Sequence, residues 1–270
     1  MGLVALHGSS SGTARQPMFE HLAATLAAQG VAVLSYDRRA TDDDSDTPLS
    51  VQSSDAVLAM RTLHEHLDAP VGVFGFSQGA WAATQAAGHE LAYFLMVVGC
   101  SGVSPAEQMR FHADEILSRH GYGDLERAKV RSLRSLLEQV LRGDGGRELL
   151  DQRLSQVRTE SWFPLAYLPP RAPAPGATWP DMDFDPRPAI ADVRVPALAF
   201  WGEQEDTVPR QESQQVWRDG GNADIVDLPD CGHWPLLGRD RPGSGQWGDD
   251  DEPSPDYTRT LSRWVADRLL

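Results

Sequence analysis

Val71-Gly72-Val73-Phe74-Gly75-Phe76-Ser77-Gln78-Gly79 decides how this chain is read. Val71 to Phe74 has the unbroken apolar character of a parallel strand buried on both faces. Ala80-Trp81-Ala82-Ala83-Thr84-Gln85-Ala86-Ala87 has the composition of a helix. Between them stands G-x-S-x-G, Gly75 to Gly79, the pattern of a nucleophile elbow. Such a serine sits on a sharp strand-to-helix turn with its hydroxyl exposed and a helix N-terminus beneath it. The pentapeptide alone is common. At a strand–helix junction it predicts that Ser77 is a nucleophile and that both glycines are sterically required.

The same alternation extends outward from the elbow. Leu3 to Leu6 is a strand that ends at His7-Gly8-Ser9. Thr13-Ala14-Arg15-Gln16 resembles a capping box, and Met18, Leu22 and Leu26 mark one helical face that Gly30 stops. Val31 to Tyr36 is a second strand. Ala56, Met60, Leu63 and Leu67 recur at helical spacing, and Ala92 to Gly99 forms another buried strand. From Val103 to Ile190 the rhythm breaks into three helices, near Met109–Ile116, Val130–Leu141 and Arg147–Arg158. A proline-rich aromatic segment follows, with Trp162, Phe163, Tyr167 and Trp179. Strands resume at Pro196–Trp201 and Ala223–Leu228, with a helix near Gln211–Arg218 between them and a closing helix through Leu261, Trp264, Val265 and Leu269. The expected organisation is a mostly parallel α/β core from residues 1–102 and 191–270, with 103–190 inserted as a helical lid.

Composition bounds the function classes. A chain of 270 residues can bury a full core. Its net charge of −15 argues against nucleic acid or an anionic membrane surface as partner. No apolar run is long enough to span a bilayer, and Met1-Gly2-Leu3 offers no secretory leader. Cys100 and Cys231 lack metal-ligand spacing and read as free thiols in a reducing, cytoplasmic setting. Neither metal nor cofactor is expected. Acidic residues gather in Asp42–Asp46 and Asp249–Glu252, where they either steer a cationic substrate or are solvated turns.

A serine hydroxyl needs a base, and the base needs an oriented acid. His233 follows the last strand in Asp230-Cys231-Gly232-His233-Trp234, while His21, His64, His66, His89, His112 and His120 fall on helices or their ends. The acid is expected after the penultimate strand, in Trp201-Gly202-Glu203-Gln204-Glu205-Asp206-Thr207-Val208-Pro209. The usual run G-x-x-D-x-x-V-P places it at Glu205, while residue type favours Asp206; either could orient the imidazole. Two backbone amides are expected to form an oxyanion hole, those of Gln78 and Ser9. His7 is then architectural. The aromatics Trp162, Phe163, Tyr167 and Trp179 either line an acyl pocket or only pack the insertion.

Taken in order, H-G, Y-D-x-R, G-x-S-x-G, acid loop and G-H resemble the α/β-hydrolase superfamily over nearly the whole chain. More narrowly, His7-Gly8-Ser9, Gly75-Phe76-Ser77-Gln78-Gly79 and Asp185-Pro186-Arg187-Pro188 are similar to the bacterial dipeptidyl-aminopeptidase-like and acyl-CoA-thioesterase-like hydrolases. The resemblance implies an α/β-hydrolase fold and cleavage of an ester, thioester or amide through a Ser-His-acid triad and an acyl-enzyme. Its alternatives are a peptidase or cyclising acyl transferase acting on a peptide or other natural-product intermediate, and a non-hydrolytic lyase, cyclase or binding scaffold. Tyr36-Asp37-Arg38-Arg39 is implied to be a structural Arg–carboxylate brace. The family's two-stranded hairpin before the H-G strand is missing here, which makes Val31–Tyr36 a sheet edge. A partner subunit in a homodimer, the N-terminus or an earlier start is expected to cover it.

Overall fold

The computed structural model describes residues 1–9, 14–39, 47–220, 223–238, 247–248 and 251–269. The acidic residues Asp42 to Asp46, Asp249 and Asp250 lie outside them, as does Thr13.

The apolar runs form one parallel sheet, six-stranded among the described residues, in the order β2-β1-β3-β4-β5-β6. Its strands are β1 (Gly2–Leu6), β2 (Ala32–Ser35), β3 (Val71–Phe76), β4 (Ala92–Val98), β5 (Ala197–Gly202) and β6 (Ala223–Leu228). The central strands β1, β3 and β5 are buried at every residue, as parallel strands covered on both faces must be. By contrast β2 lies at one edge, half-exposed. Reversal of strand order at β1, between β2 and β3, is the topology in which sites form beyond the C-terminal strand ends.

Helices α1 (Pro17–Ala27), α2 (Leu49–Leu67), α3 (Gln78–Ala86), α7 (Arg187–Ala191), α8 (Arg210–Gly220) and α9 (Pro255–Leu269) belong to the sheet unit. The spacing of Ala56, Met60 and Leu63 gives α2 its buried stripe. Met18, Leu22 and Leu26 do the same for α1 and join the main core with Phe74, Phe94, Phe200, Tyr257 and Trp264. Helix α1 does not start at the expected capping box. Gln16 is the N-cap residue and makes no side-chain cap bond, because Pro17 at the first turn fixes the helix start three residues later.

A second compact unit comprises Ser104–Phe184 together with the short return segment Asp206–Pro209. It contains α4 (Pro105–Arg119), α5 (Asp124–Arg142), α6 (Arg147–Val157) and a single 3-10 turn, Phe163–Leu165. Ser104 and Glu107 close a reciprocal capping box on α4, and Gly143 ends α5. Its core is its own: Leu117, Val130, Leu133, Leu150, Leu154 and Trp162 are its centre. Asp185-Pro186-Arg187-Pro188 opens α7 and goes with the sheet unit. No described helix is long and apolar enough to cross a membrane.

Candidate active site

The sheet's C-terminal edge gathers the chemistry. Ser77 follows β3 directly, with φ 53° and ψ −120°, a conformation that side chains rarely adopt. Its amide donates to the Val98 carbonyl at 2.9 Å, tying the elbow to the end of β4. The strain persists because both neighbouring glycines permit close backbone approach. A Cβ at Gly75 would lie 2.5 Å from the Gly79 carbonyl oxygen and from Ala80 Cα. One at Gly79 would collide with the carbonyl oxygens of Leu6 and His7, at the end of β1. Gln78 opens α3, so its amide lies at the positive end of the helix dipole.

His233 and Glu205 come from two loops laced together by their backbones. Glu203 N–H donates to the Leu228 carbonyl at 3.0 Å, and Gln204 N–H to that of Cys231 at 2.9 Å. These bonds hold the loop after β5 against the loop after β6. Glu205 N–H turns back to Gly202 at 3.3 Å and the side chain is directed at the histidine. His233 Nδ1 stands 3.0 Å from both Glu205 carboxylate oxygens. The Glu205 side chain is fully buried and that of His233 nearly so, at 11% exposure. A carboxylate removed from water needs a donor, so Nδ1 carries the proton and Nε2 presents its lone pair. The imidazole also packs on Phe76, the residue before Ser77, with ring centroids 5.1 Å apart.

The neighbouring acid goes elsewhere. Asp206 pairs with Arg119 of α4 at 3.2 Å, and its backbone carbonyl accepts from His112 Nδ1 at 2.9 Å. A one-residue shift would be needed to bring Asp206 to the imidazole, and the 203–228 and 204–231 backbone bonds leave no slack for it. Of the two carboxylates, the structure brings only Glu205 to His233.

Ser9 follows the H-G turn and is exposed, and His7 is buried with Nδ1 2.8 Å from the Gly8 carbonyl. Within Tyr36-Asp37-Arg38-Arg39 the arginine paired with a carboxylate is Arg39, with Asp55, while Arg38 donates to the carbonyls of His7 and Gly8. Of the aromatics, Trp162 and Phe163 are buried in the helical unit's own core. Tyr167 is half-exposed, with its ring against His112. Trp179 is half-buried and its carbonyl closes a turn to Met182.

One residue at this edge escaped the reading of the sequence. Gly99, just past β4, has φ 60°, and a Cβ there would lie 2.7 Å from His233 Cε1. The floor beneath the imidazole must therefore be glycine. The visible signal was a glycine closing the apolar run Val97-Val98-Gly99 at a strand's C-terminal end.

An open parallel sheet with a serine on its elbow and a His–Glu pair at the same edge defines a class. The family model of the alpha/beta hydrolase family matches residues 3–244, so the chain belongs to that family and is an enzyme of the hydrolase type. Its fold is shared with Est1E from Butyrivibrio proteoclasticus, solved with ferulic acid bound: 14% identity, TM-score 0.58, covering 99% of this chain and 89% of that one. The metagenome-derived lipolytic enzymes LipS and LipT give 17% identity and TM-score 0.53, covering 100% and 94%. The esterase EaEST from Exiguobacterium antarcticum gives 18% identity and TM-score 0.51, covering 98% and 91%. No curated protein matches the chain by sequence.

Proposed function

We propose that this hydrolase cleaves carboxylic esters through an acyl-enzyme on Ser77, with His233 as the general base and Glu205 as the acid that orients it. The observation that carries the reading is the buried His233–Glu205 pair at the strand edge where Ser77 is held in its strained turn. His233 Nε2 takes the hydroxyl proton as Ser77 Oγ attacks the ester carbonyl carbon. The developing oxyanion is received by the amides of Gln78 and Ser9. Collapse of the tetrahedral intermediate expels the alcohol, which takes the proton from the imidazolium. A water molecule, deprotonated in turn by His233, then attacks the acyl-enzyme, and as the acid is released the imidazolium returns that proton to Ser77 Oγ. Glu205 stays ionised throughout and stabilises the imidazolium by Coulomb attraction in a water-poor setting.

An ester is the first substrate class because the structural neighbours named above are an esterase and lipolytic enzymes. Thioester and amide cleavage run through the same steps and differ in the leaving group alone. The motif resemblance to dipeptidyl-aminopeptidase-like and thioesterase-like hydrolases supports testing both. A fluorophosphonate probe read by intact mass tests the nucleophile. One adduct is expected on the native protein and none on Ser77→Ala, which should also lose turnover while keeping its Tm. An alanine variant that still turns over esters defeats the assignment. A panel of p-nitrophenyl esters, acyl thioesters and aminoacyl amides then ranks the substrate classes.

A further inference from the structure

The H-G turn after β1 is gripped from behind. Arg38 Nη2 lies 3.3 Å from the His7 carbonyl oxygen and 3.2 Å from that of Gly8. His7 Nδ1 lies 2.8 Å from the same Gly8 oxygen. A ring nitrogen that close to a carbonyl must carry a proton, so His7 is the Nδ1–H tautomer. Arg38 is also 3.3 Å from Nδ1, but two donors cannot bond, so its protons go to the carbonyls. The Gly8 oxygen thus accepts twice, using both lone pairs. Tyr36 lines a small cavity with His7, Arg38 and Asp55, and burial together with the Asp55 charge pushes its phenol pKa up.

A peptide plane has two ends. Among the described residues every peptide is trans, and a trans unit sets its N–H antiparallel to its C=O. When Arg38 and His7 fix the Gly8 carbonyl on one side, the Ser9 N–H is aimed at the other. Gly8 itself packs close to the nucleophile, since a Cβ on it would lie 3.2 Å from Ser77 Cβ and from Phe76 Cδ1. Glycine tolerates either sense of this plane, so nothing intrinsic to Gly8 prevents a flip. A flipped plane would point a carbonyl oxygen at the developing oxyanion.

We propose that Arg38, with His7, is a positioning residue that locks the Gly8–Ser9 peptide so that the Ser9 amide faces the oxyanion. It touches no reacting atom and acts only through the orientation of that plane. This rests on the reading of Ser77 as nucleophile, and adds to it the device that keeps one of the two oxyanion donors in place.

The test compares a p-nitrophenyl ester with its thionoester, in which the carbonyl oxygen is sulfur. A developing thiolate-like sulfur accepts hydrogen bonds poorly, so an intact hole strongly favours the oxo substrate. Removing one such donor costs roughly 10²–10³-fold in kcat. Arg38→Ala is therefore expected to lower kcat for the oxo ester by at least about tenfold with KM nearly unchanged, and to leave thionoester turnover almost as it was. The ratio of the two rates should fall by the same factor. Arg38→Lys, which keeps a donor without the planar fork, should recover part of that ratio. It also carries the test should the alanine protein fail to fold. A variant that slows both substrates equally overturns the lock, because mere loosening of the fold would not distinguish oxygen from sulfur. Absence of any Ser77-dependent turnover in the native protein overturns the parent reading instead, and the lock with it.

Discussion

Glu205 presents both of its carboxylate oxygens to His233 Nδ1 at the same 3.0 Å, from a side chain with no solvent exposure. Such symmetry pins the imidazole against rotation about its Cβ–Cγ bond, so Nε2 keeps one direction. Asp206, one residue on, faces α4 instead.

The two acids should separate cleanly. Glu205→Gln is expected to lower kcat by roughly 10³–10⁴-fold, the range seen when a triad acid is replaced by its amide. Asp206→Asn breaks a partly exposed pair with Arg119, an interaction of about 0–1 kcal/mol, and should leave kcat within a few-fold of native. Steady-state kinetics on one activated ester measures both. Equal losses would show that the acid loop acts as one unit.

Gly99→Ala inserts a methyl group beneath the imidazole, 2.7 Å from Cε1, at a backbone angle that alanine disfavours. We expect turnover to fall much further than stability, because His233 must tilt while the strand end can relax. A stability cost of about 1–2 kcal/mol follows from the left-handed φ alone. Thermal melts and kcat measured side by side check the split. An unchanged kcat with a lowered Tm would mean the ring accommodates the methyl group.

Among the aromatics of the helical unit, Trp162 and Tyr167 call for different experiments. Trp162 is 2% exposed in that unit's core, so Trp162→Ala should cost about 3–5 kcal/mol of stability. Its kinetics would be confounded by unfolding. Tyr167 is 47% exposed, and Tyr167→Phe removes only its hydroxyl. A change in acyl-chain preference across an ester series, at constant Tm, is the expected mark of a substrate contact. Identical profiles for native and Tyr167→Phe would dismiss the hydroxyl from that role.

Acid sensitivity of the helical unit should depend in part on Asp114. Its hydrogen bonds to Arg127 and Arg131 hold its carboxyl below the usual range, the Arg127 bond being the larger cause. A depressed folded-state pKa contributes stability that is present above the unfolded value near 3.9 and lost as pH falls through the folded value. Asp114→Asn should therefore lower Tm modestly at neutral pH, and the gap to native should close on acidification below about pH 4. A gap that stays constant with pH would assign the effect to packing.

Much of the sheet could be read from apolar runs and their spacing, because parallel strands buried on both faces have few other compositions. The elbow and the histidine loop were equally legible, since each follows a strand end. The acid was not, because Glu205 and Asp206 are adjacent and only the backbone bonds to the β6 loop decide which of them turns inward. Pro17 sets the start of α1, with Gln16 as its N-cap residue. Gly99 and the carbonyl-gripping direction of Arg38 depend on contacts between strands distant in sequence, which no local pattern carries. The insertion's aromatics could be seen as a cluster, but their division between Trp162 inside and Tyr167 outside needed the packed helices.

The return of Asp206–Pro209 to the helical unit has an evolutionary meaning. A helical insertion between two strands suggests one continuous segment of the gene. Here an exchange of Ser104–Phe184 alone would carry off Arg119 and His112 while leaving Asp206, their common partner, in the recipient, one peptide bond from Glu205. The helical unit is encoded in two pieces, and a transplant of the larger one alone would have to be followed by repair of the smaller.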